Sequence, residues 1–133
     1  MSQENVELVR RAYHAFNERD LDALMAMHAK AVKWQLIGGF ASMAGPEFTD
    51  RAEVRRWFTE WIENLGSKLE IENILEADDR LVVIARAVAV GSASGAPATL
   101  RFGQVYSFRD GQISAVDSYY EAGEALKAVG LAE

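Results

Sequence analysis

The chain has 133 residues, half of them hydrophobic, with 14 Lys and Arg against 20 Asp and Glu for a net charge of −6. It contains no cysteine, which excludes disulfides, thiol nucleophiles and cysteine-bound zinc. An acidic chain without a basic run is a poor match for nucleic acid, and no stretch approaches the ~18 apolar residues of a membrane-spanning helix.

The polar start, Met-Ser-Gln-Glu-Asn, lacks an apolar signal core, so a cytoplasmic protein is expected, with one domain over residues 1–133. Val6, Val9, Tyr13 and Phe16 recur at helical spacing and predict an amphipathic helix over residues 5–17. Asp20 opens a second short helix through Leu21, Leu24, Met25 and His28. Val32, Trp34 and Leu36 alternate with Lys33 and Gln35, as in a strand. Residues 37–46 carry three glycines and a proline and read as a loose loop. Asp50 and Glu53 have capping-box spacing ahead of a third helix striped by Val54, Trp57, Phe58, Trp61, Ile62 and Leu65, and Gly66 is its stop.

Beyond Gly66 the apolar period changes to two. Strands are predicted over 69–77, 81–90, 99–108 and 113–120, with turns at Asp78-Asp79, 91–97 and Arg109-Asp110-Gly111. A terminal helical turn is predicted over 121–129. Helices followed by hairpin-connected strands define an α+β class with an antiparallel sheet. Curved around the front helices, such a sheet leaves a pocket.

Three segments resemble the SnoaL-like branch of the nuclear transport factor 2 superfamily: Val9-Arg-Arg-Ala-Tyr-His-Ala-Phe-Asn17 with Asp20-Leu-Asp22, Val54-Arg-Arg-Trp-Phe58, and Val105 to Ile113 closed by Glu124 to Leu131. The resemblance spans the chain in the right order. It implies a cone: about three N-terminal helices packed into a strongly curved, mostly antiparallel sheet enclosing a pocket. It also implies a homodimer through the outer sheet face, for which Ala85, Ala87, Ala89 and Val105 are nominated. Relatives include ketosteroid isomerase, polyketide cyclases, scytalone dehydratase and limonene-epoxide hydrolase, so the fold alone does not choose a reaction.

The relatives' catalytic carboxylates do not carry over. By the resemblance, the isomerase base falls at Leu36, its acidic oxyanion donor at Gln104, and its tyrosine at Ala12, beside Tyr13. The cyclase and hydrolase aspartate of the last strand falls at Ser118, one residue from Asp117. The hydrolase arginine matches Arg86, but Val88 stands in place of its aspartate. The reach of Asp117 depends on the last hairpin. A three-residue turn sets Gln104 against Val116 and turns Asp117 outward; a two-residue turn sets Gln104 against Asp117 on a shared face. Arg109-Asp110 suits the first two positions of the three-residue form, which is the expectation.

The reading is a protein that binds a small, mostly apolar molecule in the cone. Its alternatives are a cofactor-free isomerase, cyclase or hydrolase, or a non-catalytic interaction module. Gln104, Tyr13 and, under the two-residue turn, Asp117 are the catalytic candidates. Phe16, Trp34, Trp57, Arg86, Phe102, Tyr106, Ser118 and Tyr120 are the ligand-binding candidates. His14 and His28 lack the neighbours of a metal site, so neither a metal nor a cofactor is expected.

Overall fold

The computed structural model describes residues 2–89 and 98–131, so the turn expected at 91–97 lies outside the described residues. The chain runs α1 (Ser2–Asn17), α2 (Leu21–Ala26), β1 (His28–Ile37), α3 (Gly39–Ala44), β2 (Glu47–Phe48) and α4 (Arg51–Leu65). It continues through β3 (Ser67–Ala77), β4 (Arg80–Ala89), β5 (Ala98–Arg109), β6 (Gln112–Tyr119) and α5 (Ala122–Ala128).

The caps are those the residue types demand. Asp20 accepts from the Ala23 N–H at the start of α2, and Asp50 accepts from the Glu53 N–H at the start of α4. Glu53 reaches back to the Thr49 N–H at 2.8 Å, one residue earlier than a capping box requires. Gly66 ends α4 at φ 57°, where its N–H donates to the Ile62 carbonyl. The end of α1 is fastened across the fold: the Asn17 amide donates to the Leu69 carbonyl and accepts from the Leu69 N–H, both at 2.8 Å.

The six strands form one sheet in the order β2-β1-β6-β5-β4-β3, with β1 and β6 parallel and the other pairs antiparallel. Register shifts between His28 and Lys33, between Ile71 and Asn73, and between Ser107 and Phe108 interrupt the ladders and bend the strands. The result is a curved, open sheet. Its concave face meets α1, α2 and α4 over a core of Val9, Phe16, Val54, Phe58, Val83 and Phe102. On its convex face Val82, Ile84 and Val105 pack beneath Ala122 and Ala125 of α5.

Gly103 is where that helix seats. A β-carbon there would lie 2.6 Å from the Ala125 β-carbon and 3.2 Å from the Ala122 backbone. Gly103→Ala is therefore expected to lift α5 and to cost about 2 kcal/mol, in the overpacking range, read as a lowered urea midpoint.

Three expectations are corrected. His28 is not on the α2 stripe; it is the first residue of β1. The loose segment 37–46 contains a short helix, α3, flanked by Gly38 at φ 76° and Gly45 at φ 93°. Ala85 and Ala87 do not face outward: they are buried in the concave core, while Val105 is covered by α5.

Candidate functional site

The interior of the cone is lined by aromatics from four elements. Phe16 comes from α1, Trp34 from β1, Trp57, Phe58 and Trp61 from α4, and Phe102 from β5. Phe40 joins them from α3. It is buried, and its ring meets Trp61 at 5.6 Å, Phe102 at 5.9 Å and Tyr120 at 5.2 Å between centroids. These edge-to-face contacts make it a plug. Among the described residues this interior holds two small voids, about 30 Å³ beside Phe40 and Ser118 and about 20 Å³ beside Tyr13 and His28, sharing Phe16, Trp34, Phe58, Leu69 and Gln104 as walls. Each has room for a water or two and none for a ring.

One polar cluster stands at the centre of this lining. Tyr13 and Tyr106 both donate to the Gln104 carbonyl oxygen, at 2.5 and 2.7 Å. The Gln104 amide nitrogen makes a single long contact, 3.5 Å, to the Ser118 hydroxyl. All four residues are buried. Burial holds both tyrosine hydroxyls well above their usual range, so they are neutral donors throughout the physiological range.

The last hairpin explains why Ser118 is in the cluster and Asp117 is not. Its turn is the two-residue form, with Asp110 at φ 53° and Gly111 at φ 78° and Arg109 paired to Gln112; the three-residue turn expected from the sequence is not formed. Two residues on, Ser107 pairs with Ala115 while Phe108 pairs with Ile113, so Ser114 is an extra residue in β6. That bulge shifts the remaining ladder by one. Gln104 then meets Ser118, and Asp117 meets Val105 on the convex face. Neither sequence alternative named this pairing. Burial lifts the Asp117 carboxyl above its usual range against the pull of Arg80 and Lys33, and the group does not line either void.

Arg86 is also outside. It is exposed on the convex face, with Glu70 at 2.9 Å and Glu72 at 3.3 Å, and Arg101 shares Glu72 at 3.1 Å. Tyr120 does not line either void; it packs on Phe40 and covers Gly39, while 38% of its surface stays exposed. Phe16, Trp34, Trp57, Phe102, Tyr106, Tyr13, Gln104 and Ser118 are the sequence candidates that the fold brings to the voids.

His28, Phe40, Phe58 and Leu69 line the voids without being among the sequence candidates, and Trp61, an aromatic of the α4 stripe, lines the larger one. Phe40 had a signal, as the one large apolar residue in a segment of glycines and small residues. His28 had none, because a histidine spaced with leucines reads as part of a helix. Its Nδ1 lies 2.9 Å from the Leu24 carbonyl. A carbonyl only accepts, so Nδ1 carries the proton and Nε2 presents a lone pair. Among the described residues, Nε2 of His28 and the indole N–H of Trp34 are buried without hydrogen-bond partners.

Burial lowers the His28 pKa to about 4, with the Arg51 charge adding to the effect. The sign follows from linkage. The unfolded chain takes up the proton near pH 6.5 and the native chain only near 4, so stability falls as pH drops through that window. Between pH 7 and 5 the expected loss is about 2 kcal/mol. It would be read as a lowered denaturant midpoint that His28→Gln largely flattens.

Among the described residues, no group of three His, Asp or Glu side chains is placed to hold a metal, and no helix is long and apolar enough to cross a membrane.

The sequence profile of the SnoaL-like domain family matches residues 9–116, and the chain belongs to that family. Among solved structures it is similar to TerC co-crystallised with polyporic acid, at 23% identity and TM-score 0.76 over 95% of this chain and 97% of that one. It is similar to a nuclear transport factor 2-like protein of unknown function from Burkholderia pseudomallei, at 25% identity and TM-score 0.74 over 96% and 98%. A polyketide-cyclase candidate from Xanthomonas campestris matches at 25% identity and TM-score 0.65, also over 96% and 98%. No curated protein matches the chain.

Proposed function

We propose that residues 1–133 act as one domain that binds a small, mostly apolar molecule inside the cone, with an oxygen of that molecule held at Gln104. One observation carries this reading. The Gln104 carbonyl is saturated by two tyrosine hydroxyls, whereas its amide nitrogen, with two hydrogens to give, makes only the 3.5 Å contact to Ser118. A buried, underused donor amid aromatic walls is suited to a ligand oxygen. Entry requires Phe40 to leave the interior, and the positive-φ glycines at both ends of α3 give that segment the backbone freedom to move.

A second reading, a cofactor-free isomerase, cyclase or hydrolase, rests on His28, a neutral imidazole in the wall of the smaller void. The residues lining the two voids include no carboxylate, which favours binding over acid–base turnover as the first reading. Pairing with a second copy through the outer sheet face belongs to this proposal too. The charged pairs of Arg86 and Arg101, in place of the alanines, would lie at its centre. A monomer in sedimentation at micromolar concentration would remove it.

Binding is tested by titrating the protein with phenol and with toluene while following the indole N–H resonances of Trp34, Trp57 and Trp61. Saturable shifts are expected. No shift with either probe, in the native protein and in Phe40→Ala, overturns the ligand-binding reading.

A further inference from the structure

We propose that His28 and Trp34 form a hydroxyl-recognition site in the smaller void, where a ligand O–H donates to His28 Nε2 and its oxygen accepts from the Trp34 indole N–H. The inference rests on the ligand-binding reading and adds to it the chemical class of the ligand, a hydroxyl-bearing ring compound.

The two nitrogens are complementary. His28 keeps its proton on Nδ1, where the N–H donates to the Leu24 carbonyl, so Nε2 can only accept; the indole N–H can only donate. Both are buried and unpartnered, and an unmet polar group in such a place is costly enough to call for a partner. The rings are neighbours, with centroids 5.9 Å apart and planes tilted by 36°, and both line the smaller void. A single oxygen about 2.9 Å from each partner bridges two nitrogens up to about 5.8 Å apart, a reach suited to neighbouring rings.

The chemistry of the bridging group is then narrow. A carbonyl or carboxylate satisfies Trp34 and leaves His28 facing a second acceptor. An ammonium satisfies His28 and opposes the indole N–H. A hydroxyl satisfies both, and so does the single water that the void of about 20 Å³ has room for. A ligand hydroxyl that replaces such a water makes the same two bonds. Elsewhere in this void the amide acceptor is occupied. The Gln104 carbonyl takes both tyrosine protons, which leaves His28 Nε2 as the open nitrogen acceptor for a donor on the ligand.

Phenol and toluene share a ring and differ in the hydroxyl, so they form the test. Phenol is expected to bind the native protein at least tenfold more tightly than toluene, although its hydroxyl must give up water. Trp34→Phe is expected to abolish that preference. In the native protein with labelled histidine, phenol and not toluene should move the His28 Nε2 resonance together with the Trp34 indole N–H, a readout independent of how well the variant folds. Toluene binding as tightly as phenol, or phenol shifts that bypass His28, overturns the hydroxyl site while leaving the ligand-binding reading intact. Failure of both probes to bind removes the two together.

Discussion

Gln104→Leu is expected to destabilise the protein by about 2–4 kcal/mol, although leucine has nearly the same bulk and the site is buried. The loss is that of an acceptor. Two tyrosine hydroxyls now meet on one carbonyl oxygen, and each left unpaired in a dry interior costs about 1–3 kcal/mol. The hydroxyls of Tyr13 and Tyr106 lie close enough to bond to each other once the amide is gone, which recovers one of the two bonds and sets the lower bound. Urea unfolding measures the loss. The triple replacement that adds Tyr13→Phe and Tyr106→Phe should recover much of it, because no donor is then stranded. A loss in the triple replacement equal to that of Gln104→Leu would mean that packing, and not hydrogen bonding, is the role of Gln104.

Phe40→Ala is expected to act in two opposite senses. Removing a buried ring costs about 3–5 kcal/mol when the surroundings cannot close the gap. Phe40 touches three aromatic rings, but α3 is short and ends at two glycines, so partial collapse should hold the loss near the bottom of that range. The space vacated adds to the void of about 30 Å³ beside it and approaches the volume at which an apolar cavity admits benzene. Toluene should therefore stabilise Phe40→Ala in a concentration-dependent way and stabilise the native protein much less. Thermal unfolding with and without toluene separates the two effects. Equal stabilisation of both proteins would show that Phe40 does not control access to the interior.

Most of the architecture was readable from periodicity. The stripes of α1 and α4, the capping residues Asp20 and Asp50, the stop at Gly66 and the alternation in β3 to β6 are local signals, and local signals survive folding. The site was readable where alternation decides which face a residue occupies, as for Phe102, Gln104 and Tyr106 on β5. It was unreadable where a register shift intervenes. The turn residues Asp110-Gly111 alone would have put Asp117 opposite Gln104, and no residue type announces that Ser114 is the one left out of the ladder. The face of Arg86 is unreadable in the sequence for a different reason. A nearly continuous apolar run conceals its phase, and the neighbours that show Arg86 to be outward, Glu70 and Glu72, lie on another strand. The side-chain atoms without partners, in His28 and Trp34, are invisible in sequence because they are defined by what fails to arrive.

The bulge at Ser114 has a consequence for how this fold changes its chemistry. With the two-residue turn kept, deleting Ser114 would return β6 to the pairing the turn dictates, and Asp117 would point into the cone opposite Gln104. One lost codon would thus exchange an interior without a carboxylate for one with a carboxylate beside two tyrosine donors and a glutamine. Within such a family, gain and loss of an acid–base group need no substitution at the site itself. An insertion or deletion several residues away, in a strand whose remaining sequence is untouched, is enough.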